Sequence, residues 1–140
     1  MRVVLTGGGA DLTVVRDVVR SMRSEPIVVC GELTLVELCA LLAMSCLYIG
    51  NDTGPMHIAA AVGTPTVSIF SARDFTEQWY PSGEHHVVIR EDVPCSPCFK
   101  EECDIGLAFL DRVSTDRVLR AVDTQLSRLQ AAPVRTAARR

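Results

Sequence analysis

Along this 140-residue chain, short β-branched apolar runs alternate with segments whose apolar residues recur at helical spacing. Parallel strands need a crossover long enough to hold a helix, so this alternation marks βαβ units and a parallel sheet. It predicts a doubly wound, Rossmann-like α/β fold with strands at 3–6, 27–30, 47–50, 66–70 and 87–90. Between them, Asp11 is placed to cap a helix with Leu12, Val15, Val18, Val19 and Met22 inward, and Thr34 opens another with Leu35, Leu38, Leu41 and Leu42 inward. A last helix is expected at 115–130, with an apolar stripe of Val118, Leu119, Val122, Leu126 and Leu129. The length suits one domain, residues 1–130, followed by a flexible Ala- and Arg-rich tail at 131–140.

The segment 50–70, GNDTGPMHIAAAVGTPTVSIF, localises a ligand site. Its apolar strand ends in a polar turn that opens directly into a helix at about Pro55, whose fixed φ suits a first helical position, with Thr53 or Gly54 as N-cap. Backbone N–H groups left over at that end, with the helix dipole behind them, attract an anion. The dipole supplies only about 0.3–1 kcal/mol, so side chains must add the selectivity. Asp52 can accept from sugar hydroxyls, Thr53 carries a hydroxyl, and His57 can donate to phosphate. A bland reading stands beside this one: a capping Asp or Thr and a surface His. Ala59, Ala60, Ala61 and Gly63 let the helix lie close to a sheet. In open α/β sheets ligands sit beyond the carboxyl ends of the strands, so the turns at Gly7, Gly31, Asn51 and Ser71 should line one edge. The long polar loop 71–84, with Trp79, Tyr80 and Pro81, also has the character of a functional loop.

The string Asn51-Asp52-Thr53-Gly54-Pro55-Met56-His57, continuing as AAAVGTPTV at 59–67, resembles the nucleotide-sugar signature of glycosyltransferase family 9, the lipopolysaccharide heptosyltransferases. Trp79 and Pro81, the run Cys95-Ser96-Pro97-Cys98-Phe99 with Cys103, and a helix opening near Ser114 extend the likeness over about residues 1–130. It implies the C-terminal half of an enzyme with two Rossmann-like domains facing across a cleft, the GT-B arrangement. That half holds the donor, typically ADP-heptose, and the other half carries the acceptor platform and the catalytic base. Asp52, Thr53, Gly54, Pro55 and His57 would then hold the donor and stabilise the departing nucleotide diphosphate. The resemblance implies inverting transfer to a lipopolysaccharide or other glycan acceptor, independent of metal and of any cofactor. The other half is expected in a missing N-terminal domain or a partner subunit. A non-catalytic nucleotide-sugar-binding module, perhaps a degenerate remnant, is the alternative.

Two further turns contribute candidates. Gly7-Gly8-Gly9 fails the GxGxxG spacing because Leu12 stands at the third glycine position, and no GK[ST] follows. The turn is either a close approach of Gly7 and Gly8 to sugar or phosphate, as the resemblance implies, or a plain tight turn. Gly31-Glu32-Leu33-Thr34-Leu35 resembles the family's Gly-Lys-Thr-Ser-Leu, with Glu32 where lysine is frequent. Glu32 or Glu37 serves either as a ribose acceptor or as a helix-start carboxylate favoured by the dipole.

Several classes are set aside. The net charge of −3, without lysine–arginine runs interleaved with aromatics, argues against nucleic acid. No apolar stretch reaches the roughly 18 residues of a membrane span. The N-terminus lacks the pattern of a signal peptide, which predicts a cytoplasmic protein. At most, Arg135, Arg139 and Arg140 would make peripheral membrane contact. Six cysteines without an export signal are expected as thiols, with Cys30, Cys39 and Cys46 in the core. Cys95, Cys98 and Cys103 supply three of the four ligands of a closed zinc site, and Leu110 stands where the family commonly places a fourth cysteine; His85 or His86 would complete a site only if that loop folds back, so no metal site is assigned.

Overall fold

The computed structural model describes residues 1–100, 102–103 and 105–131. The chain divides into two compact units, one ending at Ala40 and the other starting at Leu41. In the first, strand β1 (Val4–Gly7) leads through a 3-10 turn (Gly9–Asp11) into α1 (Leu12–Ser21), and β2 (Ile27–Cys30) returns parallel to β1 with Val4 opposite Ile27. Helix α2 (Leu35–Met44) begins in this unit and ends in the second. There follow β3 (Tyr48–Asn51), α3 (Gly54–Ala61), β4 (Thr66–Phe70), β5 (His86–Arg90), a single turn α4 (Ala108–Asp111) and α5 (Thr115–Ala131). The sequence predicts one doubly wound sheet. All observed pairings are indeed parallel, and they form a two-stranded β1–β2 sheet and a three-stranded sheet in the order β3–β4–β5. Expected tail residues 132–140, Arg135, Arg139 and Arg140 among them, lie outside the described residues.

Strand β4 is the centre of the second unit. It has partners on both edges, and Thr66, Val67, Ser68 and Phe70 are buried, as a parallel strand covered by helices requires. Helix α3 packs on β3 and β4, and α5 on β4. Met56 and Ala59 of α3 are fully buried. The helix ends in a Schellman motif: Gly63 in the left-handed region (φ +82°), with Gly63 N–H donating to Ala60 O (3.1 Å) and Thr64 N–H to Ala59 O (2.9 Å). Thr64 Oγ1 in turn donates to Leu42 O at 2.6 Å, satisfying a carbonyl at the end of α2.

The expected inward residues are partly redistributed. On α1, Val15 is buried and Val19 and Met22 half-buried, whereas Val18 sits to the side of that line and Leu12 at its open end, and both are exposed. Leu35 is 67% exposed because it opens α2 within a capping box: Thr34 N–H and Oγ1 both donate to Glu37 Oε2 (2.8 and 2.7 Å). On α5, Leu119 is 53% exposed and Gln125 is buried at the centre of the stripe, donating from Nε2 to His85 O (2.8 Å). Cys30 is buried, but Cys39 is only half-buried and Cys46 exposed, so the expectation of three core thiols holds for one.

Buried polar side chains continue into β5. Ser68 Oγ donates to Thr66 Oγ1 (3.0 Å), which lies 3.2 Å from His86 Nδ1. Burial of the imidazole pushes its pKa down; a hydrogen bond with the Ser82 backbone opposes this, and the neighbouring His85 charge adds to it. A histidine with a depressed folded pKa contributes stability above its unfolded pKa, about 6.5, that is lost as pH falls through the folded value. His86→Asn should therefore flatten the decline of melting temperature between about pH 7 and pH 5. Parallel pH profiles for the two proteins would refute the assignment.

Candidate functional site

The turn after β3 forms as its residues dictate. Thr53 is the N-cap of α3 in extended conformation (φ −148°, ψ 165°), with Gly54 and Pro55 in the first two helical positions, one residue before the expected start. Thr53 makes no side-chain cap; its hydroxyl donates weakly back to Asn51 O (3.3 Å), while its carbonyl accepts from Met56 N–H (3.0 Å). The Thr53 side chain thus does not compete for the N–H groups at this helix end. A Cβ built on Gly54 would meet nothing within 4 Å, so neither packing nor backbone dihedral demands glycine there. The missing side chain leaves the backbone open to an approaching group.

Asp52 is pinned by its own N–H donating to Ile69 O (3.1 Å), which holds the end of β3 against β4. Its Oδ1 lies 3.6 Å from His57 Nε2, one helical turn along, with the aspartate side chain 23% exposed. Burial raises the Asp52 pKa; the His57 charge opposes this, the Asp74 carboxylate reinforces it and the Arg73 guanidinium opposes it. The site therefore holds a partly buried carboxylate beside an imidazole and a guanidinium.

Asn51 and Asp52 line a hollow of about 360 Å³. Its second wall is the segment after β4, with Ser71, Arg73 and Asp74, and its third the cysteine segment, with Cys95, Cys98, Lys100 and Cys103. Ala72, Val93 and Phe109 form a buried apolar floor with Cys103 and Leu110 against it. Two residues of this region, Phe99 (φ 54°) and Leu107 (φ 61°), hold left-handed backbone at a cost of about 1–2 kcal/mol each, so tertiary contacts must fix them. Cys98 N–H and Phe99 N–H both donate to Arg73 O (3.0 Å each), and Leu107 N–H points to Cys103 Sγ (3.2 Å). Among the described residues no group of three His, Cys, Asp or Glu is arranged to hold a metal ion.

The sequence candidates fall in both units. Asp52, Thr53, Gly54, Pro55 and His57 share the turn after β3 in the second. Gly7, Gly8 and Glu32 belong to the first, where packing accounts for Gly7, whereas a Cβ on Gly8 would make only an ordinary contact with Asp11 Oδ2 at 3.6 Å. A Cβ on Gly7 would meet Asp11 Cβ and Cys30 Sγ at 3.0 Å, and Gly8 N–H already donates to Asp11 Oδ2 (2.8 Å). Gly31 N–H donates to Gly7 O (2.8 Å), so these two turns adjoin at the carboxyl ends of β1 and β2. Glu32 is exposed, and Glu37 serves the capping box, the Thr34 N–H and hydroxyl lowering its pKa. Arg73, Asp74 and the cysteine wall are the residues that sequence reasoning missed as site lining. The sequence marks loop 71–84 through Trp79, Tyr80 and the turn at Ser71, but only tertiary proximity singles out Arg73 and Asp74.

Parallel strands, a hollow at their carboxyl ends and a helix N-terminus without a side-chain cap beside Asp52 and His57 place the chain in the class of parallel α/β domains whose strand ends are the usual place for a ligand. Comparison with known proteins specifies it further. The model of glycosyltransferase family 9 (heptosyltransferase) matches residues 1–108, and the chain belongs to that family. It is 33% identical over 128 residues to lipopolysaccharide heptosyltransferase 3 of Escherichia coli K12, covering 89% of this chain and 37% of that protein. The crystal structure of the glycosyl transferase family 9 protein of Veillonella parvula superposes with a TM-score of 0.74 at 30% identity, over 91% of this chain and 37% of that one. E. coli ADP-heptose lps heptosyltransferase II shares the fold, with a TM-score of 0.73 at 24% identity over 94% and 38%. The fold is accordingly that of the C-terminal Rossmann-like half of a GT-B glycosyltransferase. The chain spans about a third of the length of the curated relatives it matches. Among the described residues, no helix is long and apolar enough to cross a membrane.

Proposed function

We propose that this chain is the donor-binding half of a heptosyltransferase-like enzyme, acting in the cytoplasm on a nucleotide-diphosphate sugar, ADP-heptose by preference, for transfer to a lipopolysaccharide or other glycan acceptor. The observation that carries the reading is Asp52: a partly buried carboxylate whose pKa is raised by burial and by Asp74 against the opposing His57 and Arg73, beside the N-terminus of α3, where Thr53 forms no side-chain cap. Such a group gains most from a ligand that brings hydroxyl donors, as a sugar does. In this reading the diphosphate lies at the α3 N-terminus, where backbone N–H groups and the His57 ring can donate, with Arg73 on the wall of the adjoining hollow.

In transfer, negative charge builds on the leaving diphosphate as the glycosidic bond breaks. Donors fixed beforehand at the helix end stabilise that charge without reorganising, and the His57 ring can add a hydrogen bond there. The acceptor platform and the base that deprotonates its hydroxyl belong, in this proposal, to the part of the enzyme corresponding to the other two-thirds of the relatives. The 140-residue chain should then bind donor weakly and transfer no sugar by itself. Gly7, Gly8 and Glu32 enter as secondary donor contacts.

Calorimetric titration with ADP-, UDP- and GDP-sugars tests this directly. ADP-sugars should bind best, and Asp52→Ala with His57→Ala should abolish the heat at unchanged fold. Equal binding by the double variant would place the donor elsewhere, and sugar transfer by the purified chain alone would refute the division of labour.

A further inference from the structure

We infer that Arg90 is a positioning residue that fixes the angle between two walls of the hollow beside Asp52. Its side chain is only 8% exposed, and no sequence pattern distinguishes it. From the end of β5 its guanidinium reaches three ways: Nη1 donates to Asp74 O (3.1 Å), Nη2 to Ser96 Oγ (2.9 Å) and Nε to Asp92 Oδ1 (2.9 Å). Asp74 belongs to the wall after β4 and Ser96 to the cysteine wall.

The geometry explains why the guanidinium matters. The backbone joins these walls through the Arg73 carbonyl, which accepts both Cys98 N–H and Phe99 N–H. One acceptor atom fixes a point rather than an angle, and the apolar floor of Ala72, Val93 and Phe109 with Cys103 against it is non-directional packing. The exposed Phe75 and Phe99 rings, edge to face at 5.0 Å, close one side of that hinge. Arg90 supplies the second fixed point from within, and its rigid planar fork holds both walls in one orientation, which a lysine ammonium on a flexible stem does not do. Asp92 is an exposed counter-ion at 75%, so it orients the fork without sharing the burial. Arg73, Asp74, Cys98 and Cys103 line the hollow, so its width follows from this angle.

The consequence for ligand affinity rests on the donor reading above, whereas the clamp itself does not. Arg90→Lys and the milder Ser96→Ala are compared with the unsubstituted chain in two measurements. In the first, a thiol reagent is applied under native conditions and Cys98 and Cys103, both half-buried, are quantified by mass spectrometry against the exposed Cys95. Loosened walls should raise labelling of Cys98 and Cys103 about fivefold or more in Arg90→Lys and less in Ser96→Ala, with Cys95 unchanged, because local opening is selective. In the second, ADP-sugar affinity should fall about tenfold in Arg90→Lys. A lowered melting temperature with unaltered labelling ratios would reduce Arg90 to a general stabilising residue and overturn the proposal. Failure of the unsubstituted chain to bind any ADP-sugar would overturn the donor reading instead, and the labelling ratios would still decide the clamp.

Discussion

Asp52→Asn should weaken nucleotide-sugar binding by about ten- to a hundredfold while raising the melting temperature at neutral pH. The two effects have one source. The folded chain raises the Asp52 pKa by burying the carboxyl, with Asp74 adding to the shift against His57 and Arg73. A carboxyl whose folded pKa lies above its unfolded value stabilises the fold fully only below the unfolded pKa, about 3.9, and that contribution is lost as pH rises through the folded value. At pH 7 the carboxylate is therefore a net cost, and the isosteric amide removes it. The advantage of the Asn variant should vanish near about pH 3, where Asp52 is neutral in both states. Thermal melts at the two pH values, paired with calorimetry, check the claim. A variant less stable at pH 7 would mean that the charge is well supported, and the argument for a hydroxyl-rich ligand would go with it.

Met56→Ala carries the largest expected loss of stability, about 2–5 kcal/mol, a sizeable fraction of the about 5–15 kcal/mol that holds a domain together. Met56 is fully buried on the helix that packs on β3 and β4, two residues past Gly54 and directly before His57. The cavity it would leave lies under the first turn of α3, so donor affinity should fall together with stability. Met56→Leu conserves volume and should cost less than about 1.5 kcal/mol. Urea midpoints of the three proteins measure both. A Met56→Ala midpoint unchanged from the parent would show that the helix is not anchored through this side chain.

Much of this fold was legible because its elements are written locally. Strands 27–30 and 66–70 fall where the β-branched runs place them, β1 and β3 shift by one residue, and β5 and α3 each start one residue early. Signals of this kind need no distant partner: a Pro in the first turn, a Gly past the helix end, an apolar period. Errors arose where the period was read as burial. Leu119 obeys the stripe of α5 and remains exposed, while Gln125, at i+3 from Val122 and i+7 from Val118, lies at its centre and is buried. A polar residue in the middle of an apolar stripe was the available clue, and its partner, the His85 carbonyl, lies 40 residues away.

From the sequence alone came the succession of strands and helices, the family signature and the turn that carries Asp52, Thr53, Gly54 and His57. Each depends on backbone preferences and neighbours within a few residues. Tertiary structure decided which groups surround that turn: Arg73, Asp74 and the cysteine wall meet Asp52 because parallel β4 and β5 bring their carboxyl ends to the end of β3. It also gave Gly7 and Gly8 their internal partners and Asp52 its raised pKa. Burial and charge proximity are properties of packed neighbours, and parallel pairing draws those neighbours from segments far apart along the chain.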